Sequence, residues 1–276
     1  MKYGPLDKGE RKGRVVKVSH IVSYIEGLAG HALNRDEGVQ HGSVEREVQR
    51  VLVTWMATAD ALTHAGEMGC DLVLAHESLY YPYDAVVRRD SPLGWENWRT
   101  NRQRREILER HNLTLLRAHG SLDEICILDA FASLLGLGEP VAAEGLAKVY
   151  EITPRPLADL LALVKERARM TAVRVSCPRG MEQVVRRVGL PWGGLGLFVN
   201  VGYQQRVLEL GADVLIAGES DDYGFRFSAE WGVPMIETGH EVSENPGLRR
   251  FSQMLQERFA EMRVAFYECA PSWQTG

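Results

Sequence analysis

Short apolar segments alternate with longer amphipathic segments along most of this chain. The apolar runs predict buried strands at 51–56, 71–75, 113–118, 172–177, 184–190, 213–217, 233–237 and 264–267. Helical spacing between them predicts helices at 58–69, 97–111, 124–136, 157–167 and 200–210. A strand, a helix and a second strand form a right-handed βαβ unit, so the pattern predicts an α/β protein with parallel or mixed sheets.

The last helix carries a start signal of its own. Asn245 is a residue type favoured at the N-cap, and Pro246 is a type favoured at the first helical position. Leu248, Phe251 and Leu255 then recur at helical spacing. The sequence therefore predicts that this helix begins at Asn245 and Pro246.

The two halves of the chain resemble each other in outline. The segment 67–74 (EMGCDLVL) is matched by 209–216 (ELGADVLI), and each would end a helix and begin a strand. We therefore predict a flexible arm at 1–15 and one domain of two similar lobes, at about 16–145 and 146–276. A common helix-to-strand turn, used twice by chance, would give the same similarity.

Composition and charge exclude several classes of protein. The chain has 276 residues and a formal net charge of −5, which gives no electrostatic reason to expect nucleic-acid binding. No segment approaches the roughly 20 apolar residues that a membrane helix needs. The four cysteines form no C-x-x-C pair, which argues against a thiolate zinc site and favours a reducing cytoplasm. Metal chemistry would therefore have to use histidine and carboxylate.

Polar residues follow four of the predicted strands directly. These segments are 76–78 (HES), 119–124 (HGSLDE), 218–222 (GESDD) and 238–244 (TGHEVSE). The carboxyl ends of parallel strands gather at one edge of a sheet, where ligands bind. Imidazole and carboxylate together suit Mn, Fe or Zn, and two carboxylates could bridge a pair of ions. Each segment also has an ordinary alternative, since Asp123 could cap a helix and His240 could bond Glu244 locally.

Several segments, taken in order, resemble the Nif-three-like family of dinuclear-metal-centre hexameric proteins, which are related in name to GTP cyclohydrolase type one. The segments are 36–42 (DEGVQHG), 75–81 (AHESLYY), 118–123 (AHGSLD), 193–196 (GGLG), 217–219 (AGE) and 239–244 (GHEVSE). Their order and spacing match the family over nearly the whole chain. The resemblance implies a metal site between the lobes, at the carboxyl ends of the strands, and a homo-oligomer that is a hexameric ring.

The same resemblance implies the ligands of two divalent metal ions, Zn, Fe or Mn. They fall on His76, Glu77, Asp123, His240 and Glu244. Glu77 stands where the family has the second histidine of a pair, and this harder ligand favours Mn or Fe or weakens one metal position. His119 matches a family histidine near the site, so Glu77 and His119 are the candidates for proton transfer.

The resemblance implies a metal-dependent hydrolase, and the family name points more narrowly to a cyclohydrolase that acts on a nucleotide or another heterocyclic small molecule. The alternative is a non-catalytic metal-binding or partner-binding oligomer. Two further segments keep two interpretations each. The glycine run 193–196 could cradle an anion or form a tight turn, and the arginines of 99–110 could bind phosphate or form a solvated helix face.

Overall fold

The computed structural model describes residues 15–273, so the predicted arm at 1–15 lies almost wholly outside the described residues. The helices are α1 Val18–Ala29, α2 Ala59–Glu67, α3 Arg99–Arg110, α4 Gly120–Leu122, α5 Leu128–Leu134, α6 Leu157–Arg167, α7 Val201–Glu209, α8 Asp222–Glu230 and α9 His240–Arg258. The strands are β1 Gly38–His41, β2 Arg50–Thr54, β3 Leu72–Ala75, β4 Thr114–Arg117, β5 Pro140–Glu144, β6 Ala147–Pro156, β7 Arg174–Ser176, β8 Val184–Gly189, β9 Val214–Ala217, β10 Met235–Glu237 and β11 Arg263–Tyr267.

The strands form two mixed sheets, one in each lobe. The first sheet has the order β1-β4-β3-β2-β11, and only β1 runs antiparallel to its neighbour. The second has the order β5-β6-β8-β9-β10-β7, with β8, β9 and β10 parallel. The predicted α/β class with two mixed-sheet lobes is confirmed. The lobe limits near residue 145 stay a prediction, because β5 lies in the second sheet and β11 returns to the first.

The similarity of the two halves reflects one turn used twice. Gly69 and Gly211 both have positive φ, at 64° and 93°, which ends the preceding helix at little steric cost. The carboxylates of Asp71 and Asp213 then each accept hydrogen bonds from two backbone amides, those of Gln49 and Arg50 at the start of β2 or those of Arg186 and Arg187 in β8. Each turn therefore ties a helix end to the register of two parallel strands.

Both faces of each sheet are covered by hydrophobic residues. Successive side chains along a strand point to opposite faces, so neighbouring residues enter different cores. In the first lobe Val51 and Val53 face the main core, while Leu52 packs in the core beneath α2 and α3. In the second lobe Val214 and Ile216 face that same main core. The sheets of both lobes thus share one hydrophobic core, which also contains residues of α1, α5 and α9.

The predicted start of the last helix is wrong. Helix α9 begins at His240, and Pro246 lies inside it. The side-chain amide of Asn245 donates to the carbonyl of Cys269 at 2.9 Å instead of capping the helix. The helix can begin earlier because Gly239, with φ 109°, donates its N–H to the carbonyl of Gly218 at 2.6 Å and turns the chain out of β10.

The sequence pattern did not predict several elements, and one arginine of the polar helix α3 is buried. The unpredicted elements are α1, α8, β1, β5 and β6. The helix predicted at 124–136 has α-helical geometry only over Leu128–Leu134, because its first residues belong to a π-helical turn, Asp123–Ile127, that follows α4. Arg104 of α3 is buried and donates to the carbonyl of Leu79 at 2.5 Å, so this face of α3 is not simply solvated. None of the helices in residues 15–273 has the length and apolar character needed to cross a membrane.

Candidate metal centre

Five side chains from separate parts of the sequence meet where strands of the two sheets end. His76 and Glu77 follow β3, Asp123 opens the π-helical turn after β4, and His240 and Glu244 lie on α9 just after β10. His240 and Glu244 are four residues apart, so they occupy the same face of the helix. These are the five residues that the sequence motifs single out, and the fold brings them together.

His76 is fully buried and its two ring nitrogens have different surroundings. Its Nδ1 lies 3.1 Å from the carbonyl oxygen of Ala118, which can only accept, so Nδ1 carries a proton. Its Nε2 lies 3.4 Å from Glu244 Oε2 and 3.9 Å from Asp123 Oδ1. Within the described residues, Nε2 forms no hydrogen bond of acceptable geometry. A nitrogen lone pair therefore faces carboxylate oxygens unless a cation or a proton lies between them.

His240 is the second imidazole of the cluster. Its Nε2 lies 3.2 Å from Glu77 Oε1 and 3.3 Å from Glu244 Oε1, and its Nδ1 lies 3.0 Å from Glu219 Oε2. Glu77 and Glu244 are almost completely buried, whereas the Glu219 side chain is 47% exposed. Glu219 therefore orients the His240 ring from the solvent side.

The burial of so many charged groups together shifts their pKa values. Burial by itself would lower the pKa of His76, but Glu244 and Asp123 outweigh it and raise the pKa to about 9. Burial raises the pKa of Asp123 to about 6. Burial would also raise the pKa of Glu244, yet the neighbouring His240 and His76 hold it well below its usual value. The cluster without an ion therefore favours protonated imidazoles among carboxylates.

Two groups of three side chains have the proximity that a bound ion requires. One group is His76, His119 and Asp123, and the other is His76, Glu77 and Glu244. Within each group the candidate ligand atoms lie within 4.8 Å of one another. The two groups share His76, whose single free nitrogen can bind one ion, so a second position would depend on the carboxylates and the other imidazoles.

Two tryptophans hold carboxylates of this cluster in place. Trp55 Nε1 donates to Glu244 Oε2 at 2.8 Å, and Trp192 Nε1 donates to Asp123 Oδ1 at 2.7 Å. Neither tryptophan is predicted from the sequence to have this role. Each follows the end of a parallel strand, β2 or β8, which is the only signal in the sequence that places it near the site.

The glycine run after Trp192 leaves room for the cluster. Gly193 has φ 53°, and a Cβ placed on it would lie 2.0 Å from Glu244 Oε1 and 3.2 Å from His240 Nε2. A side chain at this position would collide with both candidate ligands. The segment forms a short 3₁₀ turn, Gly193–Leu195, which agrees with the tight-turn interpretation.

His119 lies beside the cluster in a hydrogen-bonded chain. Its ring packs edge-on against the ring of His76, with centroids 4.8 Å apart. Its Nδ1 lies 2.9 Å from Asp36 Oδ2, and its Nε2 lies 3.3 Å from the hydroxyl of Tyr83. The hydrogen bond from His119 and the charge of Arg117 lower the pKa of Asp36 to about 2, so Asp36 stays ionised and orients the ring.

Most of the chain can be aligned with known proteins of similar sequence and structure. A family model described as Duf34/NIF3 (NGG1p interacting factor 3) matches residues 16–272. A protein of Clostridium perfringens named GTP cyclohydrolase 1 type 2 homolog is 24% identical over 260 residues, or 88% of this chain and 92% of that protein. Its namesake from Escherichia coli K12 is 25% identical over 225 residues, or 80% of this chain and 84% of that protein.

A solved structure has the same fold. The Bacillus cereus protein related to NIF3 superposes with a TM-score of 0.77 at 13% identity, covering 96% of this chain and all of that one. At this level of identity the likeness establishes the two-lobed fold alone, and the chemistry has to be inferred from the residues of the site.

Proposed function

Since this chain belongs to the Duf34/NIF3 family, as its motifs predicted, we propose that it is a metal-dependent hydrolase that holds two divalent ions between its lobes. The bacterial relatives are named as cyclohydrolase homologues, which supports a small-molecule substrate with a hydrolysable ring. The same reaction class suits a cluster that can hold a pair of ions, because such a pair lowers the pKa of a water and polarises the substrate.

The observation that carries the proposal is the buried Nε2 of His76. Its tautomer is set by the carbonyl of Ala118, and it lies 3.4 Å from Glu244 Oε2 and 3.9 Å from Asp123 Oδ1 without a hydrogen bond of acceptable geometry in the described residues. Without a bound ion this nitrogen faces the carboxylates either as an unsatisfied lone pair, at a cost of about 1–3 kcal/mol, or with a proton that a metal would displace. A divalent ion satisfies the nitrogen and the carboxylates together, so the residues present fit a metal.

We assign the ligands to His76, Glu77, Asp123, His240 and Glu244. Three carboxylates against two imidazoles make a harder site than the family pattern, in which a histidine stands at the position of Glu77. Hard ligands favour Mn or Fe over Zn. The lowered pKa of Glu77, which His240 holds down against the effect of burial, keeps this carboxylate ionised and therefore available as a ligand.

We assign proton transfer to His119. Asp36 fixes the proton on Nδ1, which leaves Nε2 as the accepting nitrogen, where it now faces the hydroxyl of Tyr83 beside the ring of His76. Glu77, the other candidate, is held ionised and is engaged with His240. Imidazole is the side chain best suited to take and return a proton near neutral pH.

The test compares metal content and turnover in matched variants. Purified chain is reconstituted with Mn²⁺, Fe²⁺ or Zn²⁺, desalted, analysed for metal, and assayed against a panel of heterocycles, nucleotides and phosphoesters. His76→Ala and Asp123→Ala should lose metal and at least 100-fold in turnover while keeping their circular-dichroism spectra. His64→Ala, which removes an exposed imidazole on α2, should match the wild type.

Two other results would count against the proposal. Metal bound at full stoichiometry with no turnover of any compound would favour the non-catalytic metal-binding or partner-binding alternative. Failure to retain any divalent ion after reconstitution would remove the metal site itself. Assembly is tested separately by light scattering, where the family resemblance predicts a hexamer.

A further inference from the structure

The candidate metal centre lies at the bottom of a cleft of about 790 Å³ between the lobes. The floor carries the carboxylates and histidines, whereas the walls are mainly apolar or aromatic. The wall residues include Trp55, Leu146, Trp192, Leu195, Leu197 and Val199. This volume falls within the roughly 300–1,000 Å³ of small-molecule sites, and such walls favour a flat, apolar body.

The residues that line the cleft carry negative charge. Its charged lining residues other than histidine are Glu77, Asp123, Glu219 and Glu244, and no Lys or Arg lines it among residues 15–273. Two divalent ions would add four positive charges to these four carboxylates, which leaves the loaded cleft close to neutral. Proteins bind phosphate groups through Arg, Lys or unpaired backbone N–H groups, in addition to any metal.

Arginines near the site are already committed to acidic partners. Arg117 is buried and forms ion pairs with Asp36 and Asp84. Arg174 pairs with Glu237 in the adjacent groove and is not part of the cleft lining. The guanidinium of Arg117 is therefore used by buried ion pairs, and that of Arg174 lies outside the cleft lining.

The glycine turn at the edge of the cleft does not supply an anion cradle. The N–H of Gly193 donates to Ser243 Oγ at 2.9 Å, and the N–H of Leu195 donates to the carbonyl of Trp192 at 3.0 Å. The N–H of Gly196 also donates within the turn, to the carbonyl of Gly194, so at most the single amide of Gly194 is left in this segment to bind an anion. Apart from the metal, the lining of the cleft therefore offers a phosphate no Arg or Lys of the described residues and at most one amide of the glycine turn.

We propose that the substrate is an uncharged ring compound without phosphate groups, whose ring packs against the tryptophan and leucine walls while its hydrolysable bond faces the carboxylate floor. This inference rests on the proposed hydrolase function and narrows it from nucleotides to neutral heterocycles. In the hydrolysis, a water oxygen bonds to the ring carbon as the carbon–nitrogen bond breaks. The leaving nitrogen takes a proton, which His119 carries from the water.

The first test is a binding screen of the whole chain loaded with Zn²⁺. The readout is the chemical shift of the indole N–H of Trp55 and Trp192, assigned with Trp55→Phe and Trp192→Phe. One set contains neutral heterocycles such as hydantoin and dihydrouracil, and a matched set contains phosphorylated compounds. The inference predicts that compounds shifting these signals come from the neutral set; an absence of neutral binders, or a majority of phosphorylated ones, overturns it.

A matched ligand series sharpens the result. Guanosine, its monophosphate and its triphosphate share one ring and differ in charge, and free metal is monitored so that chelation is not mistaken for binding. We expect the triphosphate to bind at least tenfold more weakly than the nucleoside at the Trp55 and Trp192 signals. Equal or tighter binding of the triphosphate, or no binding of the nucleoside, contradicts the inference.

A lysine added to the wall tests the electrostatic reason directly. Val199 lines the cleft and is 83% exposed, so Val199→Lys can present its ammonium group without being buried. Triphosphate binding should become at least tenfold tighter in this variant, while Val199→Gln should not change it. If Val199→Lys does not bind the triphosphate more tightly than the wild type, the claim that missing positive charge excludes phosphate is contradicted.

Failure of this inference is distinguishable from failure of the proposed function. Metal binding with turnover confined to phosphorylated compounds would leave the hydrolase function standing and overturn the substrate class. Absence of metal and turnover would overturn the function, whereas the binding screen would still report which compounds the cleft accepts.

Discussion

The two lobes present corresponding residues to the site, and the tryptophans show this best. In the first lobe the N–H of His76 donates to the carbonyl of Thr54, and Trp55 follows; in the second the N–H of Gly218 donates to the carbonyl of Pro191, and Trp192 follows. Each indole then bonds a carboxylate that follows a strand of the other sheet. The carboxylates are therefore held by hydrogen bonds that cross between the lobes.

The lobes differ at the residue that directly follows the central parallel strand, which is β3 in the first lobe and β9 in the second. The first lobe has His76 there, fully buried, and the second has Gly218, where a Cβ would lie 2.5 Å from backbone atoms of Gly193 and from Ser243 Oγ. The second lobe has no space for an imidazole at this position, and its histidine comes from α9 instead. A shared architecture thus carries an asymmetric set of candidate ligands, and single substitutions can test the contribution of each lobe.

The largest effect should come from filling the space beside Gly193. Gly193→Ala places a Cβ against Glu244 and His240 at a backbone φ of 53° that L-residues rarely adopt. We expect loss of metal from at least one position and a fall in the free energy of unfolding of about 1–3 kcal/mol. Metal analysis and urea denaturation measure both effects.

The matched control for that variant is Gly202→Ala. Gly202 lies on α7, and nothing lies within 4 Å of the position that a Cβ would take. Wild-type metal content is expected there, with stability equal or slightly higher, because alanine favours helix. Full metal binding by Gly193→Ala would show that the close approach does not shape the site.

The crossed tryptophans should affect metal affinity equally from both lobes. Trp55→Phe and Trp192→Phe each remove one N–H donor to a ligand carboxylate, and loss of such outer partners typically weakens metal binding about 10–100-fold. Competition with a chromophoric chelator measures the affinity. Trp231→Phe, at a tryptophan that is 44% exposed, serves as the control. If one of the two variants keeps wild-type metal affinity, the hydrogen bond that it removes does not support the site.

The two glutamates that follow β3 and β9 should differ. Glu77→Gln removes a buried charge in contact with His240, and we expect at least a tenfold loss of metal affinity. Glu219→Gln changes a half-exposed side chain that only orients His240, and it should cost less than about threefold, since exposed pairs contribute about 0.2–1 kcal/mol. Equal losses in the two variants would remove the asymmetry between the lobes.

Proton release is the smallest expected effect. The raised pKa of His76, at about 9, means that this imidazole holds a proton at pH 7 when no ion is bound. A metal requires the neutral nitrogen, so binding at pH 7 should release protons and tighten as the pH rises toward 9. Calorimetry in buffers of different ionisation enthalpy measures the release, and a heat independent of buffer would contradict it.

Much of this architecture was predictable because its signals are local. Apolar strands, glycine-ended helices and the polar residues after each strand predicted the α/β class and the segments that carry the clustered side chains, whereas the choice of these five side chains followed from the family resemblance. Helix α1 was missed although Val18, Ile21 and Ile25 have helical spacing, and the start of α9 was wrong because Pro246 is accommodated inside the helix.

Other features depend on contacts between distant residues. Nothing near Trp55 in the sequence indicates Glu244 as its partner, since the two are 189 positions apart. The hydrogen bond between Asp36 and His119 spans 83 positions, and the return of β11 to the first sheet likewise depends on tertiary packing. Such partners are set by how the two sheets face each other, which residue patterning alone does not specify.

The most direct test of the central claim is anomalous diffraction from crystals of the chain reconstituted with Mn²⁺. The account predicts two anomalous peaks about 3.5–4 Å apart, lying among His76, Glu77, Asp123, His240 and Glu244, and none in His76→Ala. No peak among these residues in the reconstituted protein, or a peak that persists unchanged in His76→Ala, would contradict it.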